Sequence, residues 1–293
     1  MYVNWQSEGV KRVYTGLVLI LALAAAISLR LLTVWIFDAI VLIIAVAAVW
    51  EIAKAKNVES RGVSIFYLLS YIVAAYTMFV IGITTGFAFW LHLVMQFVVI
   101  LIFALYTMLM NYMDKDFAKE CTLKKAPLGK ASAMTAWEFV KVVIYPFLLV
   151  ASLLPINHLG SFVTQVPDGA FDPVGVRDMA TLGILMVFFV SCFTDTFQYI
   201  VGKTLKGPKL CPKISPNKTI SGAVGGLFGG MVGALFPLMI LSRNGTLLQA
   251  FLTDRIGETV IVQVVFIFIG LFGAAVTIAG DLYASWLKRR AGI

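Results

Sequence analysis

Histidine, cysteine and charge are all scarce in this sequence. Only His92 and His158 occur among 293 residues, so an imidazole-built metal site or a Ser–His–Asp arrangement has almost nothing to draw on. The three cysteines, Cys121, Cys192 and Cys211, show no CxxC and no paired spacing. That excludes a disulfide framework or a thiolate zinc cluster as the organising device. Any bound metal is therefore expected to be hard and oxygen-ligated. Charged residues make up 13% of the chain and hydrophobic ones 60%, against about 25% and about 45–50% in a soluble domain. With a mean hydropathy of +0.94, so much apolar surface cannot be hidden in a soluble fold of this size, and the solvent must be lipid. No internal repeat, low-complexity linker or separate soluble domain interrupts the chain. No short apolar stretch ends in a small-residue cleavage site, so the first apolar run is expected to begin the membrane domain.

What is present is a series of long apolar runs. A spanning helix needs roughly 20 mostly apolar residues, and eight stretches qualify, at about 13–29, 34–52, 63–83, 87–110, 137–154, 179–201, 222–241 and 259–280. The expected fold class is all-α: a polytopic integral membrane protein of about eight transmembrane helices. With both termini cytoplasmic, 18 lysines and arginines fall on the inner side. Only Arg30, Arg177, Arg243 and Arg255 fall outside, and Lys141 lies within a span. That is the expected positive-inside bias. One transmembrane domain is expected over 1–293, with N-terminal helices at about 13–110 and catalytic-type helices and loops at about 137–293. The location expected is the inner cell membrane, with the site facing the cytoplasm.

Acidic residues inside spans are costly and usually have a task or a partner. Asp195 and Asp281 both lie near the cytoplasmic ends of their helices. Asp195, Gln198, Tyr199 and Gly202 fall at i, i+3, i+4 and i+7, a polar stripe on an apolar helix. Thr277, Asp281, Ser285 and Lys288 make a second stripe. The pair suggests a shared cavity open to the cytoplasm; the alternative is that each aspartate forms a structural ion pair with a nearby lysine. Glu51 either lines the same cavity or sits at the interface beside Trp50. Glu138 and Lys141 read as a local salt bridge, and Asp38 as a residue near the outer surface with no assigned role.

Between these helices lies "KTLKGPKLCPKISPNKT", which is rich in lysine and proline and contains no acid. Its lysines suit either an anionic ligand or the anionic inner leaflet. The next helix carries Gly222, Gly226 and Gly230 in one series and Gly225, Gly229 and Gly233 in another. Such stripes are first a packing signal. Ser215, Thr219 and Ser221 offer capping hydroxyls at its start. Carboxylates at membrane depth beside a lysine loop fit phosphate chemistry on a lipid, with Mg²⁺ on the carboxylates and lysines on a polyphosphate. A phosphate nucleophile is already an anion and needs no activating histidine.

Three blocks resemble the CdsA-type phosphatidate cytidylyltransferases, or CDP-diacylglycerol synthases. "DTFQYIVGK" from Asp195 is similar to that family's D-T-x-A-Y-x-x-G-[KR]. "KLCPKISPNKTISGAVGG" from Lys209 is similar to K-L-x-P-x-I-S-P-K-K-T-x-E-G-x-x-G-G. "GDLYASWLKRRAG" from Gly280 resembles the opening of G-D-L-x-x-S-x-x-K-R-x-x-G. The resemblance implies transfer of CMP from CTP to phosphatidic acid with Mg²⁺, a second cation being left open. It makes Asp195 and Asp281 the metal-associated carboxylates and, with Lys218, the catalytic set. It makes Tyr199, Lys203, Lys209, Ser215, Pro216, Asn217 and Thr219 substrate-binding, together with Ser285, Lys288 and Arg289. The partners implied are CTP, phosphatidic acid and the bilayer, with no nucleic acid, and either a homodimer or a complementing second chain.

The chain also departs from that pattern. Ser221 stands where the family has glutamate, Gln198 where it has alanine, and Asn217 where it has the first lysine of K-K-T. The family's signature continues with K-D, P-G-H-G-G and D-R-x-D, whereas this sequence ends at Ile293. The readings left open are a truncated or split chain, and an inactive relative that binds lipid or nucleotide. A transporter is the remaining alternative; it should place polar residues near the midplane rather than at one face.

Overall fold

In lipid every backbone polar group must be satisfied within the chain, so long apolar runs become helices. The computed structural model describes residues 18, 21–30, 32–55, 63–86, 89–159, 173–242 and 256–291, and helices dominate throughout. They are α1 (Leu21–Arg30), α2 (Val34–Ala55), α3 (Ile65–Thr84), α4 (Phe89–Met113), α5 (Lys115–Leu123), α6 (Leu128–Val142), α7 (Pro173–Leu205), α8 (Ile220–Ser242) and α9 (Ile256–Ala291). After α6 the chain runs on through a π-helical turn, Val143–Leu148, and two short helices, Leu149–Ala151 and Leu153–Asn157. The irregularity centres on Pro146, which has no N–H to donate, and on Tyr145 with φ −132° and ψ 114°.

Among the described residues, seven helical stretches are long and apolar enough to cross a membrane: Val34–Lys54, Ile65–Thr84, Leu91–Met113, Leu128–Asn157, Met179–Leu205, Ile220–Ile240 and Val260–Arg290. They correspond to the second to eighth expected spans. The chain is an all-α, multi-pass membrane protein. The first expected span, 13–29, lies outside the described residues except for position 18 and the ten-residue helix α1. One departure is local: two short strands, β1 (Lys209–Cys211) and β2 (Ser215–Thr219), pair antiparallel in the lysine-rich segment.

The N-terminal core is aromatic. Tyr71 and Phe139 are fully buried and meet edge-to-face at 5.7 Å, with Phe103 and Phe147 packed on the same tyrosine. A second cluster, Phe37, Val41, Phe79, Leu154 and Ile184, joins α2 and α3 to α7. Beside it lies a polar joint. Asp38, expected near the outer surface without a role, is completely buried. Its carboxylate accepts hydrogen bonds from Tyr76 Oη at 3.1 Å and Asn157 Nδ2 at 2.8 Å, and pairs with His158 Nε2 at 2.8 Å. Arg30 donates to Asn157 Oδ1 at 2.6 Å and to Thr181 Oγ1 at 2.9 Å, which extends the joint from α1 to α7. A buried charge is tolerable only when paired and hydrogen-bonded in this way. Glu138 and Lys141 form the expected local pair at 2.7 Å.

Helices α7, α8 and α9 pack through glycine. A Cβ added at Gly229 would lie 2.5 Å from Phe193 O, and one at Gly225 would lie 2.5 Å from Val201 Cβ. On the other series, a Cβ at Gly230 would meet Ala274 Cβ at 2.4 Å, and one at Gly270 would meet Gly230 O at 2.5 Å. Both glycine stripes of α8 are therefore occupied by close helix contacts, as small-xxx-small packing requires.

Candidate active site

The site begins where α7 stops. Lys206 takes a left-handed backbone (φ 45°), its N–H bonds to Gly202 O at 3.3 Å, and Gly207 and Pro208 follow. This ending satisfies a terminal carbonyl and prevents the helix from continuing. The chain then makes the hairpin, in which Lys209 pairs with Thr219 and Cys211 with Ser215, with a bulge between the two pairs. Its base is tied shut: Ile220 N donates to Pro208 O at 2.9 Å, and Gly207 N donates to Ser221 Oγ at 3.1 Å. Thr219 caps α8 by accepting from Gly222 N at 3.1 Å. Of the three hydroxyls offered by the sequence, Thr219 is thus the cap, Ser221 ties the hairpin base, and Ser215 lies on β2.

The hairpin must sit close to the polar stripe of α7, because a Cβ on Gly222 would lie 2.7 Å from Gln198 O and 3.2 Å from Gly202 Cα. Helix α9 packs on the other side of α8 and brings Asp281 to the same place. The result is a cavity of about 720 Å³. One wall carries Asp195, Gln198, Tyr199, Gly202, Lys203 and Lys206 from the end of α7. The other carries Gly207, Lys209, Asn217, Lys218 and Thr219 from the hairpin, with Asp281 from α9. Lys203 Nζ lies 5.5 Å above the Tyr199 ring and 3.4 Å from its hydroxyl.

Ten residues singled out in the sequence therefore line one cavity: Asp195, Gln198, Tyr199, Gly202, Lys203, Lys209, Asn217, Lys218, Thr219 and Asp281. Ser215, Pro216, Ser285, Lys288 and Arg289 are not among its lining residues. Arg289 instead donates from Nε to Ile214 O at the hairpin tip, at 2.6 Å. Glu51 is exposed on α2 and not part of the lining. Lys206 and Gly207 join the wall without having been singled out. Lys206 continues the Asp195 stripe at i+11, a signal the helical period already contained.

The expected ion pair exists for one aspartate only. Lys218 Nζ pairs with Asp281 Oδ2, while Asp195 has no hydrogen bond or ion pair to any described residue. No group of three or more histidine, cysteine, aspartate or glutamate side chains gathers among the described residues. The donor set is thus two carboxylates facing four lysines, an arrangement suited to a polyphosphate with a hard cation at a membrane surface.

The cytidylyltransferase family model matches residues 10–293, and the chain belongs to that family. Its class of activity is nucleotidyl transfer, for which the family implies CTP. No curated protein and no solved structure matches the chain.

Proposed function

We propose that this protein transfers CMP from CTP to phosphatidic acid, giving CDP-diacylglycerol and pyrophosphate, at the cytoplasmic face of the inner cell membrane. The observation that carries the reading is the convergence of Asp195 from α7, Lys218 from β2 and Asp281 from α9 on one cavity. These residues come from three separate sequence blocks, each of which resembles the family pattern and which follow one another in its order. The cavity opens at the end of apolar helices, where a lipid headgroup can meet a soluble nucleotide.

Asp195 and Asp281 would hold Mg²⁺. Two carboxylates, with no third acidic, thiol or imidazole side chain gathered beside them among the described residues, fit a cation that keeps several waters and shares substrate phosphates. When bound, the cation would withdraw charge from the α-phosphate of CTP. Lys203, Lys206, Lys209 and Lys218 would hold the β- and γ-phosphates, and Tyr199 braces the Lys203 ammonium. A phosphatidate oxygen attacks the α-phosphorus, one O–P bond forms, the α–β bridge breaks, and pyrophosphate departs with the electron pair. The lysines stabilise the charge gathering on that leaving group.

The test supplies the purified chain in liposomes with labelled CTP, phosphatidic acid and Mg²⁺, and measures labelled CDP-diacylglycerol. Asp195→Asn and Asp281→Asn are each expected to lose at least about 100-fold in rate. Product formed undiminished by both variants, or no product from the parent chain, would overturn the reading.

A further inference from the structure

Asp281 is already occupied by a cation. The Lys218 ammonium pairs with its Oδ2, and the Lys218 side chain is only 13% exposed while that of Asp281 is 50% exposed. Lys218 Nζ is buried and makes no hydrogen bond elsewhere. Asp195 lies within electrostatic reach of both Lys218 and Asp281 but has no hydrogen bond or ion pair among the described residues. A divalent cation held by Asp195 and Asp281 would compete with the Lys218 ammonium for the negative charge of Asp281, since the two like charges would sit at one carboxylate. The hairpin has a second tie to α9, since Arg289 donates to Ile214 O.

We infer that Lys218 is a place-holder for the metal: its ammonium neutralises Asp281 in the metal-free protein and is displaced into the cavity when a divalent cation binds. This deepens the proposed function and rests on its assignment of Asp195 and Asp281 to the metal. Displacement has a consequence for the substrate. Without metal, a polyphosphate meets Lys203, Lys206 and Lys209, while Lys218 is engaged. With metal, the fourth ammonium becomes free on a long flexible stem and turns to the phosphates. Metal and polyphosphate therefore favour one another, and by linkage the effect is reciprocal. The lysine keeps the site closed to a lone cation and makes nucleotide and metal arrive as a unit.

The experiment measures Mn²⁺ binding to the detergent-purified full chain by electron paramagnetic resonance, with no nucleotide present. Lys218→Met is expected to bind Mn²⁺ about threefold to tenfold tighter than the parent, the range for losing a partly exposed competing ion pair. Lys218→Arg keeps a competing cation and is expected to bind as the parent does. Lys203→Met removes the same unit of charge from the cavity without touching Asp281, and is expected to give a clearly smaller gain. Equal gains in Lys203→Met and Lys218→Met would show a general charge effect and overturn the place-holder. So would Lys218→Met binding no more tightly than the parent while Asp281→Asn loses binding; that result leaves the metal assignment standing. An Asp281→Asn chain that binds Mn²⁺ like the parent would overturn both.

Discussion

Arg289 Nε donates to the carbonyl of Ile214 at 2.6 Å, across 75 residues of sequence. The last turns of α9 therefore hold the tip of the hairpin whose two strands carry Lys209 and Lys218. The family pattern had made Arg289 a substrate-binding residue; in the structure its Nε is committed to the protein's own backbone.

Arg289→Ala is accordingly expected to act on binding more than on chemistry. Loss of one exposed, charge-assisted hydrogen bond of about 1 kcal/mol should raise KM for CTP about fivefold. The turnover number should change less than that, as steady-state kinetics would show. A fall in kcat with KM unchanged would assign Arg289 to the reacting groups instead.

Gly229→Ala should loosen the α7–α8 contact. The added Cβ would sit 2.5 Å from Phe193 O and 2.7 Å from Phe197 Cβ, and backbone cannot move aside as a side chain can. Overpacking of this kind costs about 1–3 kcal/mol, read as a lower melting midpoint in detergent. Gly129→Ala is the control, because a Cβ there meets nothing within 4 Å. Its midpoint should hold or rise slightly.

Asp38→Ala strips the acceptor from Tyr76, Asn157 and His158 at once. Leaving buried donors unmatched is expected to cost about 3 kcal/mol or more. The melting midpoint should fall sharply, and the effect should be larger than for any single substitution among Tyr76, Asn157 and His158. An unshifted midpoint would mean that the network contributes nothing to holding α1, α2 and α7 together.

Thr219→Ala removes the cap of α8 and the hydroxyl that Ser221 leans on at 3.2 Å. A loss of about 1 kcal/mol is expected, while Thr219→Ser should keep most of it. Limited proteolysis within the hairpin, faster in the alanine variant than in the serine one, would report the loosened base.

The membrane helices were legible because apolar runs of this length have few alternatives, and Asp195 and Asp281 because a carboxylate is conspicuous on such a background. The stripe Asp195, Gln198, Tyr199 and Gly202 lines the cavity as the 3.6-residue period requires, and Lys206 would have followed by extending it one more turn. The hairpin was hidden: a segment so rich in lysine and proline lacks the alternating apolar pattern of a strand, and its pairing is set by the ties at its base. The Asp38 joint was hidden for a different reason. Its partners Asn157 and His158 lie 119 and 120 residues away, and no local period reports a contact of that range. The Arg289 contact with Ile214 was hidden on the same account, since a basic residue in a helix end looks the same whether it meets a phosphate or a carbonyl.

The tied base of the hairpin makes it a cassette. Because Pro208 and Ile220, and Gly207 and Ser221, are fastened to each other, the strands between them begin and end at one fixed seam beside the cavity. Length and composition within the cassette can vary without altering how α7 and α8 meet. Exchanging it between relatives would transplant Lys209 and Lys218 while leaving Lys203, Lys206 and the membrane scaffold as they are.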